Sequence, residues 1–183
     1  MNFIRNSKED NFEGLTNVLA QIRIKLSSNE PHPVGELADT GIIPQVLNFL
    51  DPKYYNMEKL IIECAWIISI VLAGETQHVN YLMSLDVVPK TIPLLEHPSD
   101  DVKENSIWIL ANIAGDSVAY REVLFKNDIT YKLEDLSHKD NLSPSLVKQL
   151  AWLISNLCRQ LPYPDFSKVL NIFSFELRAN FIV

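Results

Sequence analysis

Apolar and polar positions along the chain follow the period of a helix rather than the alternation of a strand. The pattern is clearest in three segments that look alike: Ile61-Ile62-Glu63-Cys64-Ala65-Trp66-Ile67-Ile68, Glu104-Asn105-Ser106-Ile107-Trp108-Ile109-Leu110-Ala111-Asn112-Ile113-Ala114-Gly115, and Gln149-Leu150-Ala151-Trp152-Leu153-Ile154-Ser155-Asn156-Leu157-Cys158. Shorter apolar runs precede each one: Gly41-Ile42-Ile43-Pro44, Asp86-Val87-Val88-Pro89 and a fainter Asp128-Ile129-Thr130-Tyr131. In the middle stretch the pattern predicts one helix over 76–85 and a second over 87–96. A longer third helix starts at His97-Pro98-Ser99-Asp100-Asp101, with Asp101 and Glu104 as a capping box. Ser143-Pro144 reads as an N-cap followed by proline in the first turn. Gly41, Asp86 and Asp128 fall where first helices should end in a left-handed residue. The expectation is an all-α chain.

All three tryptophans of the chain occupy the same slot, at 66, 108 and 152. The shorter motifs begin at 41, 86 and 128. A period in the low forties with helical patterning means a HEAT or armadillo solenoid, with two or three helices in each repeat. The layout this predicts is a helical cap or partial first repeat over 1–33 and full repeats over 34–74, 75–116 and 117–160. A truncated further repeat or tail would cover 161–183. That tail carries Leu170, Ile172, Phe173, Phe175, Phe181, Ile182 and Val183, an apolar face expected to fold back or to seek a partner.

The tryptophans need not be core residues. With Trp at zero and about 100° per residue, positions +2, +5 and +6 lie on the opposite side of the helix. They hold Ile68/Val71/Leu72, Leu110/Ile113/Ala114 and Ile154/Leu157/Cys158, an apolar set that reads as the core face. Positions −3, +4 and +8 lie beside the Trp and hold Glu63/Ile70/Gly74, Asn105/Asn112/Asp116 and Gln149/Asn156/Gln160. Each indole therefore belongs to a mainly polar face. Stacked repeats would set the three helices side by side, roughly 10 Å apart, forming a groove of indoles, amides and carboxylates. Ring faces attract cations and cover their methylenes, an amide can serve both polar groups of a peptide unit, and a partly dry carboxylate selects an ammonium. Such a groove favours ligand binding over core packing as the role of the tryptophans.

Composition agrees. The chain has 183 residues, 47% hydrophobic and 21% charged, and 16 Lys+Arg against 23 Asp+Glu give a net charge of −7. That excludes wholesale disorder. The acidic balance argues against nucleic acid or an anionic membrane as ligand and permits a basic partner. Cys64 and Cys158 have no CxxC spacing and read as reduced, buried thiols.

The runs Trp108-Ile-Leu-Ala-Asn112-Ile-Ala-Gly-Asp116-Ser117 and Trp152-Leu-Ile-Ser-Asn156-Leu-Cys-Arg159 resemble the second and third tryptophan segments of the importin-α (karyopherin-α) family. Gly41-Ile-Ile-Pro-Gln-Val-Leu-Asn-Phe-Leu50 and Val88-Pro89 with Leu94-Leu95 resemble its second-helix motifs, so that the likeness runs from about residue 12 to about residue 170. The fold this implies is a right-handed armadillo-repeat superhelix, an α-solenoid of about four repeats. The function it implies is an adaptor that binds nuclear localisation signals for nuclear protein import, in cytoplasm and nucleus. Trp66, Trp108, Asn112, Trp152 and Asn156 would then hold the peptide. Asp116 and Gly74 match two parts of the family's deepest lysine pocket, where Val79 replaces its Thr. Neighbouring contacts fall to Asn105, Gln149, Glu63 and Ser27, and Ile70 stands where the family has an Asn. The basic importin-β-binding segment of the family has no counterpart in residues 1–33, which hold only Arg5, Lys8, Arg23 and Lys25, so importin-β is not the partner expected. The family also continues for several repeats beyond the likeness.

Other chemistry is thin. His32, His78, His97 and His138 are isolated, five glycines leave no phosphate loop, and no acid/base pair is apparent. No enzyme activity, metal or cofactor is expected. The alternative reading is an armadillo scaffold or competitor without transport activity.

Overall fold

The computed structural model describes residues 12–28, 33–139, 141–165 and 167–169. They form helices joined by turns and short loops, with no strand among the described residues. The chain forms two compact units, Met1–Lys90 and Thr91–Val183.

The first unit contains α1 (Phe12–Ser28), α2 (Val34–Asp39), α3 (Ile43–Asn48), a 3₁₀ turn at Pro52–Tyr54, α4 (Glu58–Leu72) and α5 (Thr76–Ser84). Helix α4 packs on α1 and on α3. It is buried on most of its circumference, through Leu60, Ile61, Cys64, Ala65, Ile67, Ile68, Val71 and Leu72. Leu15, Leu19 and Leu26 form the buried stripe of α1. Each such side chain withdrawn from water contributes about 1.5–3 kcal/mol. Helix α6 (Val87–Thr91) then passes into a 3₁₀ turn at Ile92–Glu96. A single helix over 87–96 is the sequence expectation. Pro93 has no N–H to continue the α-ladder, and the tighter turn takes over.

The second unit adds α7 (Asp100–Asp116), α8 (Val118–Lys126), α9 (Ile129–Ser137) and α10 (Pro144–Cys158). Gly41, Asp86 and Asp128 all have positive φ, at 69°, 57° and 59°, as their positions require. The Ser143 hydroxyl accepts from the Leu146 N–H at 3.1 Å and caps α10, also as expected. The capping box of Asp101 and Glu104 does not form. Ser99 stands at the N-cap of α7, and the Glu104 carboxylate accepts instead from the hydroxyls of Ser143 and Ser145, at 3.2 and 2.9 Å.

Arg121 of α8 is 1% exposed. Its guanidinium donates to the carbonyls of Gln160 and Pro162, each at 2.8 Å, and meets the Glu122 carboxylate at 3.1 Å. Glu122 also accepts from Lys168 at 2.8 Å. The Lys168 bond, followed by that of Arg121, holds the Glu122 carboxyl below the ordinary glutamate range. A lowered folded-state value adds stability above the ordinary glutamate pKa, about 4.3. That contribution is lost as pH falls through the lowered value. Glu122→Gln is therefore expected to flatten the acid limb of a stability-against-pH curve below that range while leaving the neutral limb parallel. Denaturant midpoints from pH 2 to 7 would check this, and an acid limb as steep as in wild type would refute it.

Cys64 is buried, and burial, with Glu63 adding, pushes its thiol far up. Cys158 is only partly covered, which corrects the reading of both as buried thiols. Native-state alkylation should therefore mark Cys158 first and leave Cys64 untouched until unfolding, as peptide mass mapping would report. Residues 170–183, where the apolar tail was expected, lie outside the described residues.

Candidate functional site

Helices α7 and α10 pack against each other, and three polar ties fix their register. Glu104 near the start of α7 meets Ser143 and Ser145 at the start of α10. Asn156 donates from Nδ2 to the Ala111 carbonyl at 2.9 Å. Gln160 donates from Nε2 to the Gly115 carbonyl at 2.8 Å, with Arg159 Nη2 at 3.5 Å from the same oxygen. Low-numbered residues meet low and high meet high, so the two helices run parallel. Trp108 and Trp152 each lie one turn before Asn112 and Asn156, and so stand at matching levels on adjacent helices. Trp152 is 37% exposed and Trp108 is half-buried, whereas the residues assigned to the core face, Leu110, Ile113, Ala114, Ile154 and Leu157, are fully covered. Each indole presents part of its ring to solvent, and Asn112, Asp116 and Gln149 share the half-buried zone.

The amides are less free than a polar face would make them. Asn156 is 3% exposed and spends a donor on the carbonyl of α7. Asn105 is likewise buried, its Nδ2 donating to the Asp101 carbonyl at 2.8 Å and its Oδ1 meeting no donor. A helical wheel treats a helix as isolated. Here the neighbouring helix covers the flank on which Asn156 sits.

The corresponding face in the first unit is already occupied. Arg23 of α1 lies over the Trp66 ring, 5.0 Å from its centroid, and its Nε meets Glu63 at 2.5 Å. Ile70, one turn after Trp66, belongs to the core rather than to a polar face. Gly74 is exposed just beyond α4, where an added Cβ would stand 2.9 Å from His78 Nδ1. Val79 is buried in α5, and Ser27 is exposed near the end of α1. Arg23 is the partner that sequence reading missed. Its only signal is its place one repeat period before Glu63.

The armadillo/beta-catenin-like repeat family matches residues 76–115. Importin subunit alpha-1b of Oryza sativa subsp. japonica is 32% identical over 150 residues, 81% of this chain and 27% of that relative. Probable importin subunit alpha-A of Dictyostelium discoideum is 35% identical over 164 residues, 82% of this chain and 29% of that relative. Over those stretches this chain is similar to importin subunits alpha. It spans less than a third of the length of these curated relatives. A computationally designed armadillo repeat protein for modular peptide recognition superposes with a TM-score of 0.75 at 20% identity, over 96% of this chain and 69% of that one. A designed armadillo repeat protein in complex with the peptide (KR)4 superposes with a TM-score of 0.70 at 19% identity, covering 94% and 66%. The fold of the chain is thus an armadillo α-solenoid of about four repeats.

Among the described residues no group of three or more His, Cys, Asp or Glu could hold a metal ion, and no helix is long and apolar enough to cross a membrane.

Proposed function

We propose that this importin-α-like chain is a peptide-binding adaptor that receives an extended basic segment of the nuclear-localisation-signal type. The segment lies on the face shared by α7 and α10, and the protein serves nuclear protein import in cytoplasm and nucleus. The observation that carries this reading is the pair Trp108 and Trp152, partly exposed at matching levels on parallel helices. Two indoles so placed suit the aliphatic stem and cationic head of a Lys or Arg. Asn112, one turn after Trp108 on α7 and half-buried, has the side-chain chemistry to pair with both polar groups of a peptide unit. Asp116, at the end of α7, supplies the carboxylate for an ammonium.

Fluorescence anisotropy with labelled Lys-Lys-Lys-Arg-Lys and (KR)4 peptides tests the proposal against an acidic control peptide. Preferential binding of both basic peptides is expected, weakening as salt is raised because part of the attraction is screened beyond about 8–10 Å. Equal affinity for the acidic peptide would sink it. Trp152→Ala is expected to weaken binding by about five- to thirty-fold, the loss of one partly desolvated cation–ring contact. Unchanged affinity in that variant would remove Trp152 from the site.

A further inference from the structure

Trp66 has the same place in its helix as Trp108 and Trp152, and its ring carries a cation from the chain itself. The Arg23 guanidinium is stacked on its ring at 5.0 Å, and the carboxylate beside it, Glu63, is bound to the same guanidinium at 2.5 Å. A cation with its stem on an indole and its head on a neighbouring carboxylate is the contact proposed for a basic ligand at the other tryptophans. Here the chain supplies the cation itself, from the helix that packs on α4. The pair is well shielded, with the Arg23 side chain 25% exposed and that of Glu63 15% exposed. The amide that could receive a peptide main chain is absent as well, since Ile70 takes its slot and is buried.

We infer that Arg23 is a specificity-determining residue: by occupying Trp66 and Glu63 it withdraws that station from ligands and confines basic-peptide recognition to Trp108 and Trp152. The inference rests on the peptide-binding reading. A ligand Lys or Arg that takes the ring face and carboxylate held by Arg23 must displace a guanidinium already paired and stacked, so the net gain there is close to nil. Removing Arg23 takes this cation away from the ring face and from the Glu63 carboxylate.

The test uses the full chain with Trp108→Phe and Trp152→Phe, which leaves Trp66 as the sole indole of the three in the sequence. On titration with (KR)4 the Trp66 emission is expected to stay constant while Arg23 is present. It is expected to change saturably in Arg23→Ala and in Arg23→Gln, the latter retaining a polar stem over the ring. In the background with all three tryptophans, both Arg23 variants should bind (KR)4 about three- to ten-fold more tightly than wild type. Circular dichroism identifies any variant whose helices have loosened, and Arg23→Gln stands in if Arg23→Ala fails to fold. A Trp66 response with Arg23 present, or no gain on its removal while wild type binds the peptide, would overturn the inference. If neither wild type nor the variants bind (KR)4, the peptide-binding reading itself falls, and this inference with it.

Discussion

Asp116→Lys is expected to abolish basic-peptide binding, lowering affinity by more than about a hundred-fold, while the helices stay intact. The substitution changes the local charge by two, placing a cation where the ligand ammonium must approach. Each opposed unit-charge pair near a protein surface is worth up to about 4 kcal/mol at 4 Å, so even a strongly solvent-reduced fraction of the swing exceeds two decades. Arg159 sharpens the effect, because its guanidinium already lies 3.5 Å from the Gly115 carbonyl, one residue from Asp116. With Lys at 116 the end of α7 would carry two neighbouring cations and lose its carboxylate. The fold should tolerate the change. Asp116 is the last residue of α7 and half-buried, and a cation at a helix C-terminus is favoured by the helix dipole. Titration with the Lys-Lys-Lys-Arg-Lys peptide, alongside circular dichroism, decides the matter. Full affinity in a correctly helical Asp116→Lys protein would place the ammonium elsewhere. Asp116→Asn separates the two effects: it removes attraction without adding repulsion and should lose only about ten-fold.

The architecture was legible because it is written in local rules. Gly41, Asp86 and Asp128 sit where the chain must turn left-handed, and the repeated Trp slot set the period. Local rules also misled. Glu104, three residues after Asp101, fits a capping box on paper, yet its carboxylate finds two serines about forty residues away. Pro93 was the visible reason for ending α6 early, but hydrophobic continuity through Leu94 and Leu95 masked it. The limits are greater at the candidate site, where the partners are non-local. Nothing in the sequence around Trp66 shows that Arg23 covers its ring, since the two are joined only when α1 packs on α4. Asn156 exposes a related ambiguity. An Asn beside a Trp suits a peptide main chain, and it suits the carbonyl of a neighbouring helix equally well. In the structure it takes the helix. Ile70 is the informative departure. Its burial means that Ile70→Asn would place an amide in the core of α4 and should destabilise the unit rather than improve a binding face.

The largest expected effect on stability comes from a residue with no place in the peptide face. Arg121→Met should destabilise the Thr91–Val183 unit by about 3 kcal/mol. Met fills much of the volume and keeps the hydrophobic stem, so the loss is that of the guanidinium. Its two 2.8 Å bonds to the carbonyls of Gln160 and Pro162 hold the segment after α10 against α8. Hydrogen bonds from a charged donor are worth about 1.5–3 kcal/mol each, and water replaces part of the loss because Gln160 is half-buried and Pro162 exposed. Removing a buried charge recovers some desolvation energy, which is why the sum is not larger. The Glu122 carboxylate is not stranded, because Lys168 remains beside it. For a chain of this size, about 3 kcal/mol corresponds to a fall in melting temperature of about 6–12 °C. Arg121→Lys should recover little, since one ammonium cannot reproduce a fork aimed at two carbonyls. The consequence extends to the site through Gln160, whose carbonyl is held by Arg121 while its side chain donates to Gly115, next to Asp116. Loosening the segment should therefore raise hydrogen exchange at 159–165 before the rest of the unit unfolds. Basic-peptide affinity should fall only a few-fold. A melting temperature within 2 °C of wild type, or exchange unchanged over 159–165, would show that Arg121 is a tolerated burial rather than the clasp that holds this segment in place.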